Sequence, residues 1–186
     1  TFLSSFGQTF FISVFAGQIQ TEFGLSHAGW GGLYMVGTTA SALLMVAAGG
    51  LSDILRVRQL GALVLCGLAA ACVLMALNHS YWVLPLSIFA LRFFGQGMST
   101  HLAIVAMARW FVATRGRALS IAALGVSLGQ ALLPLIFVAL MTILDWRTLW
   151  LVSAAVCLMG APVLVRLLSQ ERTPQSSSED VSSTGM

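Results

Sequence analysis

The sequence predicts an all-α membrane protein with six transmembrane helices, and three observations lead there. Of the 186 residues, 58% are hydrophobic and only 8% are charged. The mean hydropathy is +0.93. Short polar breaks cut the chain into six apolar stretches of membrane-spanning length. Soluble domains carry about a quarter charged residues, and a domain of this size still exposes about a third of the area its unfolded chain exposes. That much apolar surface cannot be withdrawn from water, so lipid is the solvent.

A helix needs about 20 apolar residues to cross the hydrocarbon core. The stretches run over 2–20, 30–50, 59–77, 82–108, 118–144 and 149–168, and the breaks between them are short. Short connections predict that consecutive helices pack as antiparallel neighbours. From Gln170 onward the composition turns to Ser, Thr, Glu, Asp and Pro, which predicts disorder. The expected organisation is a six-helix bundle over 1–168 and a disordered cytoplasmic segment over 169–186. The chain opens on Thr1 without a cleavable signal pattern, and reads as a fragment.

Polarity differs among the six. The first stretch carries Ser4, Ser5 and Gln8; the second Tyr34, Thr38 and Ser41; the fourth Arg92, Gln96 and Ser99; the fifth Ser127 and Gln130. Separations of about three, four or seven residues put each set on one helical face. The third and sixth stretches hold little more polar than Cys, Ser or Gly, so nothing prevents either from facing lipid. The order polar, polar, apolar thus occurs twice, as two inverted three-helix repeats would produce. The stripes line a solute path, or they join helices at about 0.6 kcal/mol per polar contact. In the fifth stretch Ala118, Ala122, Gly125 and Gly129 form a small-residue stripe for close helix packing, and Pro134 introduces a kink.

All nine basic residues are arginines, giving a net charge of +3. Seven of them, Arg56, Arg58, Arg109, Arg115, Arg117, Arg166 and Arg172, fall in breaks on one side of the predicted bundle. The positive-inside rule makes that side, with both termini, cytoplasmic. No basic patch calls for nucleic acid. Cys66, Cys72 and Cys157 lie in apolar runs without CxxC spacing, and read as packing residues. No cofactor or metal motif is present in the sequence.

The run Gly49-Gly50-Leu51-Ser52-Asp53, followed by Arg56 and Arg58, resembles the loop signature of the major facilitator superfamily. It departs from that signature at Ile54 and Arg56, where the family usually has an arginine and a glycine. Leu91-Arg92-Phe93-Phe94-Gly95-Gln96-Gly97 resembles the family's arginine-and-glycine motif in the fourth helix. Arg109-Trp110-Phe111, the run Arg115 to Leu119, Gly125, Gly129, Pro134 and Asp145-Trp146-Arg147 together resemble bacterial members related to monocarboxylate and oxalate/formate-type carriers. The resemblance implies secondary transport of a small solute by alternating access in a bacterial inner membrane. It implies a twelve-helix protein of which this is the N-terminal half, with a C-terminal six-helix half as partner. It also implies that Gly49, Leu51, Asp53 and Arg58 form a cytoplasmic gate.

Arg92 lies ten residues into its stretch, about 15 Å at about 1.5 Å per residue, near the bilayer centre. A charge there costs at least about 2.5 kcal/mol and ordinarily marks a function. None of the chain's acids, Glu22, Asp53, Asp145, Glu171, Glu179 and Asp180, lies within the six stretches. Its partner is an anionic substrate, a carboxylate of the other half, or helix carbonyls and water. A guanidinium fork matches a carboxylate, so an organic anion is expected, held by Arg92 with Gln96, Gln8, Gln130 and Tyr34 as further substrate-binding candidates. Histidine is the side chain that ordinarily exchanges a proton near neutral pH, which makes His101 the proton-coupling candidate. It lies nine residues, about 900° of rotation, from Arg92, on the opposite face unless Gly95 and Gly97 bend the helix.

Two rival readings come from other classes. Gly125-Val126-Ser127-Leu128-Gly129 matches the GxSxG pattern of serine hydrolases, but that elbow needs a strand-to-helix turn and a histidine base that the sixth stretch lacks. A channel or a non-transporting membrane scaffold remains the other alternative.

Overall fold

The computed structural model describes residues 1–111 and 114–168. The segment expected to be disordered, 169–186, lies outside the described residues, as does the side chain of Asp53.

A 3-10 helix, Phe2–Gly7, leads into α1 (Thr9–Val14) and α2 (Ala16–Glu22). They are followed by α3 (His27–Ala48), the short α4 (Leu51–Ile54) and α5 (Val57–Leu77). Next come a 3-10 turn, Tyr81–Val83, α6 (Leu84–Leu91), a π-helical segment, Arg92–Ser99, and α7 (Thr100–Trp110). The helices α8 (Arg115–Leu140) and α9 (Trp146–Leu167) complete the fold. Four helices, α3, α5, α8 and α9, are each long and apolar enough to cross a membrane. The first and fourth apolar stretches are helical but not uniformly α.

Local chemistry sets the boundaries. Ser26 caps α3, its hydroxyl accepting from the Gly29 amide at 3.0 Å, and Asp145 caps α9, its carboxylate accepting from the Arg147 amide at 3.0 Å. Both helices therefore start about three residues before the apolar runs that announced them, because caps satisfy the first free amides. Gly24, at φ 62°, turns the chain between α2 and α3, a conformation that costs glycine little. In the fourth stretch Gly95 and Gly97 weaken the α preference. The result is a π-helical widening, in which the Ser99 hydroxyl donates to the Phe94 carbonyl at 2.7 Å.

The core is built around the first stretch. The Phe11 ring lies edge-on to Phe6, Phe15, Phe137 and Trp150, with centroids 4.8–5.3 Å apart, joining α1 to α8 and α9. Such pairs add about 0.5–1.5 kcal/mol each beyond area burial. The small-residue stripe of α8 receives the 3-10 helix: a Cβ on Gly129 would fall 2.0 Å from Ser5 Oγ, and one on Gly125 would fall 2.2 Å from Thr1 Oγ1.

The third and sixth stretches pair on one face, while Leu63 and Cys66 of α5 and Leu158, Met159 and Val163 of α9 stay exposed on the other. The helices α5 and α9 pack along each other, burying Leu68, Cys72 and Met75 against Trp150, Ser153 and Cys157. Small residues make this possible, since in lipid helices associate by close packing rather than by hydrophobicity; a Cβ on Gly61 would fall 2.9 Å from Leu164 Cδ2. Of the four polar-striped stretches, the second and fifth are the more open ones. Among described residues α3 buries only Gly37, Ser41 and Ala48, and α8 only Gly129, Leu133 and Phe137.

Candidate functional site

Polar side chains meet at three levels along the bundle. The end opposite the arginine-rich side is held by Glu22 and Arg147. The Arg147 guanidinium donates to Glu22 Oε1 at 2.5 Å and to the Ala76 carbonyl at 2.6 Å, while Trp146 Nε1 donates to Glu22 Oε2 at 2.8 Å. The Arg147 guanidinium carbon also lies 4.6 Å from the Trp146 ring centroid. This ties α2, α5 and α9 together. The hydrogen bond from Arg147 holds the Glu22 carboxyl below its ordinary range, against a smaller opposing effect of burial.

At mid-depth lies Arg92, 8% exposed, at the start of the π-helical segment. Its Nη1 donates to Thr9 Oγ1 at 2.8 Å and to Gln96 Oε1. The Tyr34 hydroxyl donates to the same Thr9 oxygen at 3.1 Å, and the guanidinium carbon lies 5.9 Å from the Tyr34 ring centroid. The described side chains that touch Arg92 are thus Thr9, Gln96 and Tyr34, none of them acidic. Three helical stretches meet at one cation. A cleft of about 120 Å³ opens beside it, lined by Thr38, Ser41, Met45, Arg92, Gln96 and Gly97.

Among the expected substrate residues the structure brings together Arg92, Gln96 and Tyr34. Gln8 lies at the break between the 3-10 helix and α1, with ψ 154°, and its neighbour Thr9 makes the contact instead. Gln130 is exposed on α8 and is not brought to Arg92. Pro134 lies inside α8, where it removes the backbone bond to the Gln130 carbonyl. The Ser127 hydroxyl is exposed and donates to Ala123 O at 3.3 Å, within its own helix.

The third level is the arginine-rich end. His101 Nε2 lies 3.2 Å from the Gly49 carbonyl and 3.4 Å from Ser52 Oγ. Arg109 Nη1 donates to the Ser52 carbonyl at 2.9 Å. Helix α7 therefore holds the α3–α5 connection from two points. Leu51 is exposed at the tip, and Arg58 is half-buried in the first turn of α5. Among the described residues the polar contacts of His101 go to Gly49 and Ser52, not to the Arg92 cluster. Among the described residues no group of three His, Cys, Asp or Glu side chains is placed to hold a metal ion.

The sequence pattern of the Major Facilitator Superfamily matches residues 1–184. The chain belongs to the major facilitator superfamily. Membership makes it a multi-pass membrane protein of a family of secondary transporters, not enzymes, that bind small solutes. No curated protein and no solved structure matches it.

Proposed function

We propose that this superfamily member is the N-terminal six-span half of a twelve-helix carrier that moves a small organic anion by alternating access. In this reading the broken first stretch and the π-interrupted fourth stretch are spans alongside α3, α5, α8 and α9, arranged as two inverted repeats. The membrane is a bacterial inner membrane, with the arginine-rich end and both termini in the cytoplasm. A likeness to monocarboxylate and oxalate/formate-type carriers belongs to the same proposal, as does a cytoplasmic gate at Gly49, Leu51, Asp53 and Arg58.

One observation carries it: a guanidinium buried at mid-depth, cradled by neutral hydroxyl and amide groups, with no carboxylate among the described side chains that bond to it. Neutral partners orient the cation and leave its charge unbalanced. An anionic solute balances it only while bound, which is the condition for release on the far side. Discontinuous helices at mid-membrane are where carriers of several folds bind solute, and two of the three stretches that meet at Arg92 are discontinuous.

In membrane vesicles, labelled small carboxylates are expected to exchange in counterflow without a steady conductance. Arg92→Lys keeps the charge but loses the fork, and is expected to lower the uptake rate at least about tenfold. Full uptake at unchanged affinity in Arg92→Lys removes the anion clamp, and a steady conductance without exchange makes the protein a channel.

A further inference from the structure

We propose that the cleft between α3 and the π-helical segment is the point where the anion docks, with Arg92 Nε and the Thr38 hydroxyl as the two donors that receive it. This deepens, and rests on, the anion-carrier reading. That reading needs only that the Arg92 fork holds the anion; the present one names which edge of the guanidinium is used and which helix supplies the second ligand.

The guanidinium has two edges, and the protein uses one of them. Nη1 is engaged by Thr9 and Gln96 on the side of the first stretch. Nε is buried and has no partner among the described residues. The Thr38 hydroxyl, on α3, is likewise buried without a partner, and both residues line the same cleft. A buried donor left unpaired costs about 1–3 kcal/mol, so two of them on residues that line one cleft are costly unless something accepts from both. Arginine can only donate, and a threonine hydroxyl can donate, so the missing group is an acceptor. A planar oxyanion presents two acceptor oxygens at once. Ala42 and Met45 form the apolar side of the cleft, which suits a compact group with little polar surface beyond the oxyanion itself. Gly97 keeps Met45 in place: a Cβ there would fall 3.1 Å from the Met45 sulfur.

The test uses the purified full chain in detergent, melted in the presence of acetate, nitrate or inorganic phosphate. Acetamide serves as the neutral isostere of acetate, and ionic strength is matched with chloride. At least one oxyanion is expected to raise the melting temperature while acetamide does not. For that anion Thr38→Val is expected to weaken binding about tenfold, the loss of one hydrogen bond to a charged ligand. Thr38→Ser keeps the hydroxyl and is expected to bind within about twofold of wild type by the same reasoning; it also reports the site if Thr38→Val is poorly folded. Wild-type binding by Thr38→Val, with binding lost in Arg92→Lys, overturns the Thr38 subsite and leaves the anion reading standing. Wild-type binding by Arg92→Lys, or no response to any of the three oxyanions, overturns both.

Discussion

Gly7 and Gly95 cross backbone to backbone. A Cβ built on Gly7 falls 2.5 Å from the Gly95 Cα and 2.1 Å from the Leu91 carbonyl oxygen, and one built on Gly95 falls 2.4 Å from the Gly7 Cα. The site depends on this contact. Two residues beyond Gly7 the chain places Thr9, and three residues before Gly95 it places Arg92, so the crossing sets how far the hydroxyl lies from the guanidinium.

Adding a methyl group at either position must therefore push the two stretches apart. Gly7→Ala and Gly95→Ala are each expected to destabilise the purified chain by about 1–3 kcal/mol, the usual cost of overpacking, and to lower solute uptake together with it. Gly17→Ala is the control: a Cβ there meets nothing within 4 Å, and alanine favours a helix by up to about 1 kcal/mol. Equal melting temperatures for Gly7→Ala and Gly17→Ala would show that the crossing is loose.

The Glu22–Arg147 pair predicts an acid-side loss of stability. Arg147 lowers the Glu22 carboxyl below its ordinary range in the folded chain, so the pair stabilises the fold at pH values above the ordinary carboxylate range of about 4.3. That contribution fades as pH falls through the lowered folded value. The carboxylate is 39% exposed, and exposed pairs contribute only about 0.2–1 kcal/mol. Melting temperature is expected to stay level from neutral pH to about pH 5 and to drop below it. Glu22→Gln should melt lower at neutral pH and lose the part of the acid-side drop that Glu22 supplies. An unchanged drop in Glu22→Gln would assign it to other carboxyls.

Hydropathy located the four long apolar helices α3, α5, α8 and α9, because the cost of leaving an apolar helix in water or a charge in lipid is written residue by residue. It placed Arg92, Gln96 and Tyr34 on faces that do converge. What periodicity cannot carry is a break in its own period. Gln8 is extended, so the face it would occupy in an unbroken helix passes to Thr9, which no stripe singled out. The start of the π-helical segment at Arg92 alters the period in the same way. Composition is silent on burial for a related reason: lipid tails are as apolar as Leu, so the lack of polar groups on α5 and α9 says nothing about which of their faces meets lipid and which meets the other helix. Residues such as Gly61 decide that, through shape. The caps Ser26 and Asp145 lie outside the apolar runs that drew the boundaries.

His101 is bound to the connection after α3, and the expected effect of removing it follows from that place. Its Nε2 lies within reach of the Gly49 carbonyl and the Ser52 hydroxyl, and Arg109 is the charged group whose contact with the same turn is seen, at the Ser52 carbonyl. His101→Ala is expected to slow uptake several-fold, about the effect of one lost hydrogen bond, by the same factor at every pH between 5.5 and 8 (roughly the range over which histidine titrates). A change in the shape of the pH profile, rather than its height, would give His101 the proton-coupling role in place of the tether.

Thr9 is the hinge of the mid-depth cluster, and the order of effects among its neighbours follows from the contacts. Its oxygen accepts from both Arg92 Nη1 and the Tyr34 hydroxyl. Thr9→Val leaves both donors without that acceptor and is expected to cost about 1 kcal/mol in stability, with a larger loss in substrate affinity because the guanidinium is no longer held in one orientation. Tyr34→Phe removes only the hydroxyl; the ring that lies 5.9 Å from the Arg92 carbon remains, and a cation beside an aromatic face retains about 0.5–1 kcal/mol. Thr9→Ser keeps the acceptor and should transport as wild type. Substrate affinity should therefore fall in the order Thr9→Ser, Tyr34→Phe, Thr9→Val, measured as KM in vesicles. If Tyr34→Phe is the most damaging of the three, the tyrosine hydroxyl meets the substrate directly and Thr9 is a bystander to it.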